Sequence, residues 1–283
     1  MLASIPASRK SRLSVALLAL CACTPVTLSA STRLDPVHIV LTGDSTTALH
    51  TGWGGAFCTG HVQPAATCID LGQGGRSTKT YREDGSWAKA MAALAQPGFA
   101  RTYVFIDFGH NDKNSNPAIG TTLATEFPAN LSRMIAEVRA KGGIPVLVTP
   151  MAARHFQQGK LDDTLIPWAD QVRAVAQREQ VPVVDLNAES GKLFQSMGAT
   201  GAMGFEQMQP TPAEMQAAAS GTTLAIRVPA STPVSAAVPA NDPRRGYHAD
   251  YTHLNDKGAQ AISAIVARLM GKAVPDLQPY LLP

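Results

Sequence analysis

The chain has 283 residues, of which 45% are hydrophobic and 16% charged, a composition typical of a globular protein and not of a disordered one. This length allows one large domain or two small ones, each with a substantial core. The formal net charge is only +3 and no block of Lys and Arg is present, so the composition gives no electrostatic case for binding nucleic acid.

Residues 1–30 have the order of a secretory signal. Three basic residues, Arg9, Lys10 and Arg12, precede an apolar run over residues 13–20, and small residues follow up to Ala30. The run is too short for a membrane-spanning helix, and no later stretch approaches the roughly twenty apolar residues that a span needs. We therefore expect export to the periplasm or the extracellular space and a mature chain that does not span a membrane.

Two cleavage positions fit this signal. Cleavage after Ala30 gives a plain secreted protein, whereas residues 20–23 resemble a bacterial lipoprotein box in which Cys23 would carry a lipid anchor. Removal of residues 1–30 takes away three basic residues and no acidic one, which leaves 21 of each sign. The positive charge of the chain therefore belongs to the targeting segment.

Two of the four cysteines lie within the signal, which leaves Cys58 and Cys68 in the mature chain. An even pair in an oxidising compartment predicts a disulfide bond. Two buried free thiols are the alternative. A zinc site would need more ligands than this pair and His61 provide, so we expect no metal.

Five short apolar runs, rich in β-branched residues, predict strands. Their near-continuous apolar character suits strands that are covered on both faces, as in a parallel sheet. In chain order they span residues 38–41, 67–71, 102–108, 144–149 and 181–186.

Helical patterns alternate with these strands. They span residues 86–95, 121–141, 167–180 and 256–270, and the last carries its apolar residues along one stripe. Alternation of strand and helix predicts βαβ units with right-handed crossovers. The expected fold is a single α/β domain over residues 31–283, a three-layer α/β/α sandwich on a five-stranded parallel sheet.

Residues 198–246 have no convincing period. The segment is rich in Ala, Thr, Pro, Gly and Met, which predicts a long irregular loop with a short helix near residues 214–219. Because loops of this length are usually functional or disordered, we expect this one to form a wall of the substrate cleft.

Four polar motifs follow the first three predicted strands or precede the last helix. Open parallel sheets bind ligands outside the carboxyl ends of their strands, so these motifs should converge at one rim. Taken singly, each is explained as well by a turn or a helix cap, but together they predict one catalytic site. They are Gly43-Asp44-Ser45, Gly74-Gly75-Arg76-Ser77, Gly109-His110-Asn111-Asp112 and Asp250-Tyr251-Thr252-His253.

The residue types in these motifs suit acyl transfer. A serine hydroxyl such as that of Ser45 is a weak nucleophile and requires a base, which His253 can supply because imidazole titrates near neutrality. Asp250 can orient that imidazole and stabilise its protonated form. The oxyanion of the reaction needs preorganised donors, for which we expect the backbone N–H groups of Ser45 and Gly75 and the side-chain amide of Asn111.

The same motifs resemble the four sequence blocks of the SGNH (GDSL-type) hydrolases. Within that superfamily the chain is most similar to the rhamnogalacturonan acetylesterases, and the resemblance covers residues 37–270. It implies a flavodoxin-like SGNH hydrolase fold and removal of O-acetyl groups from plant cell-wall polysaccharide through an acetyl-serine intermediate, without a metal or an organic cofactor. The four named letters correspond to Ser45, Gly75, Asn111 and His253.

By this resemblance rhamnogalacturonan is the leading expected substrate and acetylated xylan the second. Arg76, Arg154 and His155 are the side chains expected to contact an acetylated polysaccharide or oligosaccharide, and we expect a monomer. Two alternatives remain open. One is another SGNH esterase, such as a lipase, arylesterase or thioesterase, and the other is a non-catalytic glycan-binding protein.

Overall fold

The computed structural model describes residues 1–3, 34–224 and 250–282. The chain divides into Met1–Arg33 and Leu34–Pro283, and every element named below belongs to the second unit. The predicted signal with Cys23 and Ala30, and residues 225–249 of the predicted loop, lie outside the described residues. Within the described ranges, no helix is long and apolar enough to cross a membrane.

A five-stranded parallel sheet in the order β2-β1-β3-β4-β7 forms the centre of the unit, and a separate two-stranded hairpin contains β5 and β6. The parallel sheet and all five predicted strands are confirmed, although the last is reduced to two residues. The strands are β1 (Val37–Gly43), β2 (Ala66–Asp70), β3 (Arg101–Asp107), β4 (Ile144–Val148), β5 (Phe156–Gln157), β6 (Lys160–Leu161) and β7 (Val183–Val184).

The helices include the four that the sequence predicts in alternation with the strands. α4 begins five residues later than expected, at Glu126, because Pro128 then falls in the first turn, where its missing N–H would have no partner within the helix. The helices are α1 (Gly54–Gly60), α2 (Thr80–Glu83), α3 (Ser86–Leu94), α4 (Glu126–Ala140), α5 (Ile166–Glu179), α6 (Leu186–Ala202), α7 (Pro212–Ala219) and α8 (Asp256–Ala273), with 3₁₀ helices at Met203–Phe205 and Pro275–Tyr280.

Apolar side chains on both faces of the sheet explain the three layers. Successive side chains of a strand point to opposite faces, and in β1 the residues Ile39, Val40 and Leu41 are all fully buried. Ile39 and Leu41 pack in one core cluster with α1, α6 and α8, whereas Val40 packs in a second cluster with α3, α4 and α5. Helices therefore cover both faces, as the α/β/α prediction requires.

The strand order reverses at β1, which has β2 on one side and β3 on the other. The register pairs Gly43 with Asp107, so the carboxyl ends of β1 and β3 lie side by side. The helix that follows β1 packs on one face, and the helices that follow β3 and β4 pack on the other. Such a switch point leaves a crevice at the carboxyl ends of the strands, where open α/β sheets bind ligands.

The predicted irregular loop over residues 198–246 is wrong for its first part. Residues 198–202 complete α6, a 3₁₀ helix follows, and α7 begins with a capping box between Thr211 and Glu214. The short helix expected near residues 214–219 is confirmed. The sequence did not predict α6 because Gly198, with φ of 67°, interrupts the helical path. No continuous helical period therefore runs through residues 186–202.

The predicted bond between Cys58 of α1 and Cys68 of β2 is present, with an S–S distance of 2.00 Å. It joins an outer helix to the edge strand of the sheet. Neither sulfur is therefore available as a free thiol or as a zinc ligand.

Replacement of both cysteines by alanine should lower the free energy of unfolding by about 2–3 kcal/mol, since the bond closes a loop of 10 residues in the unfolded chain. Urea unfolding at neutral pH without reductant measures the difference. Reductant should bring the native protein to the stability of the variant and leave the variant unchanged. Equal stability of the two proteins without reductant would contradict the prediction.

Candidate active site

Ser45 lies in the turn directly after β1 and is 6% exposed. The neighbouring Asp44 accepts hydrogen bonds at Oδ1 from the backbone N–H and the hydroxyl of Thr46, each 2.8 Å long, as expected of a carboxylate that caps its own turn. Thr51 donates its hydroxyl to the carbonyl of Ser45 at 2.6 Å. These bonds fix the backbone on both sides of the serine.

The side chains of Ser45, His253 and Asp250 meet in a line. Ser45 Oγ lies 2.7 Å from His253 Nε2, and Asp250 Oδ2 is hydrogen-bonded to Nδ1 on the other side of the ring. Because a carboxylate only accepts, Nδ1 carries the proton and Nε2 is left to accept from the serine hydroxyl. The structure thus brings together three residues that the sequence separates by as many as 208 positions.

Asp250 also fixes the backbone of its own turn. Its Oδ1 accepts from the N–H groups of Thr252 at 3.0 Å and His253 at 2.9 Å. Burial by itself raises the pKa of Asp250, but the hydrogen bonds and the charge of His253 outweigh it and lower the pKa to about 2. The carboxyl group is therefore ionised at neutral pH and can stabilise an imidazolium.

Thr51 connects the turn of the histidine to the turn of the serine. Its carbonyl accepts the N–H of Leu254 at 2.9 Å, while its hydroxyl bonds the Ser45 carbonyl. Nothing in the sequence pattern singled out Thr51, because this role depends on two turns that meet only in the folded chain.

The predicted oxyanion donors lie on the loops after β2 and β3. Gly75 is exposed and has φ of +75°, a conformation that a residue with a side chain would adopt only with strain. Asn111 Nδ2 donates to the carbonyl oxygen of Arg76 at 3.3 Å, which places this amide on the loop that carries Gly75. The two loops therefore present a backbone N–H and a side-chain amide at the same end of the sheet.

Asp112, the residue after Asn111, ties these two loops together. Its buried carboxyl group accepts from the N–H and the hydroxyl of Thr78 and from the hydroxyl of Thr121. Burial raises its pKa to about 6 in spite of these bonds. Asp112 belongs to the third motif, but the sequence predicts no role for it, since Thr78 lies 34 positions away.

Glycine at position 109 lets the third motif pack closely. Gly109 has φ of +147°, and a Cβ atom there would lie 2.8 Å from the ring of Pro150. The next residue, His110, donates from Nε2 to the carbonyl of Met151 at 2.8 Å, and burial lowers its pKa. His110 therefore supports this turn.

A second buried carboxyl group lies beneath the nucleophile turn. Asp107, at the end of β3, accepts at Oδ2 from the Thr47 hydroxyl at 2.8 Å and from Trp53 Nε1 at 3.2 Å. Burial and then the charge of Asp44 raise the pKa of Asp107 well above its usual range. Among the described residues, Asp44 Oδ2 and Asp107 Oδ1 are buried without a hydrogen-bond partner.

Replacement of Asp107 by asparagine should stabilise the protein increasingly as pH rises. A carboxyl group whose folded pKa is raised holds a proton that the unfolded chain releases near pH 4, so stability falls with pH up to the folded pKa, by at most about 1.4 kcal/mol per pH unit. The amide does not titrate and retains an oxygen for Thr47 and Trp53. Urea unfolding of both proteins at several pH values between about 4.5 and 8 measures this difference.

The exposed Asp276 supplies the control, since Asp276→Asn should give a difference in stability that does not depend on pH in this way. A constant difference between Asp107→Asn and the native protein over the whole range would show that Asp107 is already ionised near pH 4.

The prediction that Arg154 contacts the substrate is wrong. Its side chain is fully buried, pairs with Glu206 at 2.8 Å and lies over the ring of Phe194. A guanidinium so placed is not available to a ligand in the crevice. The sequence could not show this, because Arg residues are mostly exposed and Glu206 carries no motif.

Arg76 and His155 are placed differently from each other. Arg76 donates from Nε to Asp84 Oδ2 at 2.6 Å and from Nη1 to the Gly74 carbonyl at 3.0 Å, and its side chain remains 36% exposed. His155 is half-buried with its ring 4.8 Å from that of Tyr251, and burial lowers its pKa. Arg76 thus retains an exposed surface beside Gly75, whereas His155 packs against the turn that carries His253.

Comparison with known proteins agrees with this geometry. The model of the GDSL-like Lipase/Acylhydrolase family matches residues 41–213, more than half of the chain. The chain belongs to this family. The matched region contains Ser45, Gly75 and Asn111, while Asp250 and His253 lie beyond its end. The protein is therefore an SGNH-type ester hydrolase whose histidine turn is located by the structure.

Two relatives of this GDSL-like hydrolase come from Bacillus subtilis (strain 168). A protein named probable rhamnogalacturonan acetylesterase YesY is 32% identical over 168 residues, which cover 57% of this chain and 75% of that protein. Rhamnogalacturonan acetylesterase RhgT is 31% identical over 172 residues, which cover 58% and 70%.

A solved structure shows the same fold. The crystal structure of YxiM from Bacillus subtilis superposes with a TM-score of 0.60 at 21% identity, over 84% of this GDSL-like hydrolase and 57% of the YxiM chain. The chain thus corresponds to little more than half of that protein, and the likeness concerns the fold alone.

Proposed function

We propose that this GDSL-like hydrolase removes O-acetyl groups from plant cell-wall polysaccharide, with rhamnogalacturonan as its leading substrate. The observation that carries the proposal is the alignment of Ser45 Oγ with His253 Nε2 at 2.7 Å, with Asp250 on the other ring nitrogen. The names of the two Bacillus subtilis relatives support the choice of substrate. In the same proposal the protein acts as a monomer after export, as a free or lipid-anchored form.

The first half-reaction acetylates the serine. His253 takes the hydroxyl proton as Ser45 Oγ attacks the carbonyl carbon of the acetyl ester, and Asp250 stabilises the resulting imidazolium. The N–H groups of Ser45 and Gly75 and the amide of Asn111 receive the oxyanion. Collapse of the tetrahedral intermediate breaks the bond to the sugar oxygen, which leaves with the proton from His253.

The second half-reaction releases acetate. Water gives a proton to His253 as its oxygen attacks the acetyl-serine carbonyl, and the oxyanion forms against the same donors. Collapse then breaks the bond to Ser45 Oγ, which recovers its proton from the imidazolium. Asp250, with a pKa of about 2, remains ionised throughout this cycle at neutral pH.

Residues around Ser45 and His253 make the contacts to the polysaccharide in this proposal. Arg76 lies next to Gly75 with part of its guanidinium exposed, so it can pair with the carboxylate of a galacturonate unit beside the reacting sugar. His155 packs against Tyr251 and shapes the wall beside the histidine turn. In this proposal α7 forms the remaining wall.

Ser45→Ala should lower kcat on a small acetyl ester by about 10⁶-fold, because no other group replaces the nucleophile. An organophosphate should label the native protein at Ser45, as mass spectrometry of the tryptic peptide can show, and should not label the variant. The exposed Ser196 provides the control, since Ser196→Ala should retain both activity and labelling. Native rates in Ser45→Ala would exclude this nucleophile, and an unlabelled native protein would favour a glycan-binding protein.

Acetate release from a panel of substrates tests the choice of polysaccharide. We expect the highest kcat/KM on acetylated rhamnogalacturonan, a lower value on acetylated xylan and little activity on esters of long acyl chains. Arg76→Ala should raise KM roughly 2–5-fold on the anionic polymer and leave neutral xylan unchanged, as is usual for a partly exposed ion pair.

The control for this panel is Arg101→Ala, which removes an exposed arginine at the opposite end of β3. Arg101→Ala should leave KM unchanged both on the anionic polymer and on neutral xylan. A preference for long acyl chains would instead assign a lipase-like activity to the same serine, and a preference for xylan would make acetylxylan the substrate.

A further inference from the structure

The turn that carries Asp250 and His253 rests on a buried ion pair. The side chains of Arg154 and Glu206 are fully buried, with Nη2 and Nε of the arginine 2.8 and 3.2 Å from Oε1 of the glutamate. Arg154 lies between β4 and β5, and Glu206 directly follows the 3₁₀ helix after α6. The two partners therefore come from separate parts of the chain.

Both side chains of the pair also bind four successive residues of this turn. Glu206 Oε2 accepts the N–H groups of Asp250 at 3.1 Å and Tyr251 at 3.2 Å. Arg154 donates from Nη1 to the carbonyl of Thr252 at 3.1 Å and from Nη2 to the carbonyl of His253 at 2.7 Å. The anion thus receives the N–H groups and the cation receives the carbonyls, so each charge matches its partners.

The turn has a conformation that calls for such support. Tyr251 has φ of 58°, in the left-handed region that a residue with a large side chain rarely adopts. A backbone in this region persists where its surroundings overdetermine it. Besides the four bonds to the ion pair, the N–H of Arg154 donates to the Tyr251 carbonyl at 2.7 Å.

Fold stability by itself does not account for these charges. Buried ion pairs are often matched or exceeded in stability by well-packed apolar residues of similar volume. A general base, in contrast, must lie within about 2.6–3.2 Å of the proton that it takes, and a displacement of about 1 Å can lower a rate on the order of 10²-fold. The pair fixes the backbone that determines this distance.

We infer that Arg154 and Glu206 are positioning residues for catalysis, which hold residues 250–253 so that the His253 imidazole stays aligned with Ser45, without contact with the substrate. The inference rests on the proposed function of Ser45 and His253. It assigns to Arg154 a role behind the reacting groups in place of the substrate contact expected from the sequence.

The double variant Arg154→Met with Glu206→Leu tests this inference, because it replaces the pair by apolar side chains of similar volume. We expect a folded protein with an unchanged KM for a small acetyl ester and a kcat lower on the order of 10²-fold. The rate of organophosphate labelling of Ser45 should fall in parallel. Labelling also requires His253 to activate Ser45, so its rate depends on the same alignment without use of an acetyl ester.

Two further double variants complete the experiment. Arg82→Met with Glu137→Leu removes a partly buried ion pair between α2 and α4, and it should leave kcat unchanged. Arg154→Met with Glu206→Gln retains a carbonyl oxygen that can accept the N–H groups of Asp250 and Tyr251. It should recover part of the lost kcat, which an effect on stability alone would not predict.

A folded Arg154→Met, Glu206→Leu variant with native kcat and native labelling rate would overturn the inference. If this variant does not fold, Arg154→Lys serves instead, because it retains the charge but cannot reach both carbonyls, and native kcat in that protein would equally overturn it. Failure of the proposed function gives a different result, since the native protein would then neither release acetate nor label at Ser45.

Discussion

One hydrogen bond, between Ser45 Oγ and His253 Nε2, carries the proposed chemistry, and much of the surrounding structure serves to keep it at 2.7 Å. Its two ends lie after the first strand and before the last helix. α1 and α8 pack in the same core cluster, which brings these distant parts of the chain together. Thr51 hydrogen-bonds to the backbone of both turns and so fixes the distance between the serine turn and the histidine turn.

Carboxyl groups at this end of the sheet have pKa values shifted in opposite directions because their surroundings differ. Asp250 is largely buried, yet the bonded His253 keeps its pKa low. Asp107 is fully buried, and its burial, followed by the charge of Asp44, raises its pKa. The same residue type therefore has a lowered pKa beside the histidine, where it is ionised at neutral pH, and a raised pKa beneath the serine turn.

Membership of the GDSL-like Lipase/Acylhydrolase family rests on residues 41–213, which include the serine turn and the loops of Gly75 and Asn111. The histidine turn lies outside that region, and its place in the site follows from contacts with Thr51, Arg154 and Glu206. The two parts of the site are therefore held in place by different interactions. The first follows directly from the ends of β1, β2 and β3, whereas the second depends on packing between segments that are far apart in sequence.

The sequence by itself determined the five strands, five of the helices, the motifs that contain Ser45 and His253, and the cysteine pair. These features are local, since apolar runs, helical periods and short motifs leave their pattern within a few residues. Only the tertiary structure decided that helical structure resumes after the break at Gly198, that Arg154 is buried against Glu206, and that Asp107 lies beneath the serine turn. The two buried carboxyl contacts join residues 40 or more positions apart, so the order of the residues does not show that they are close in space. The break at Gly198 depends on a backbone angle that no local pattern predicts.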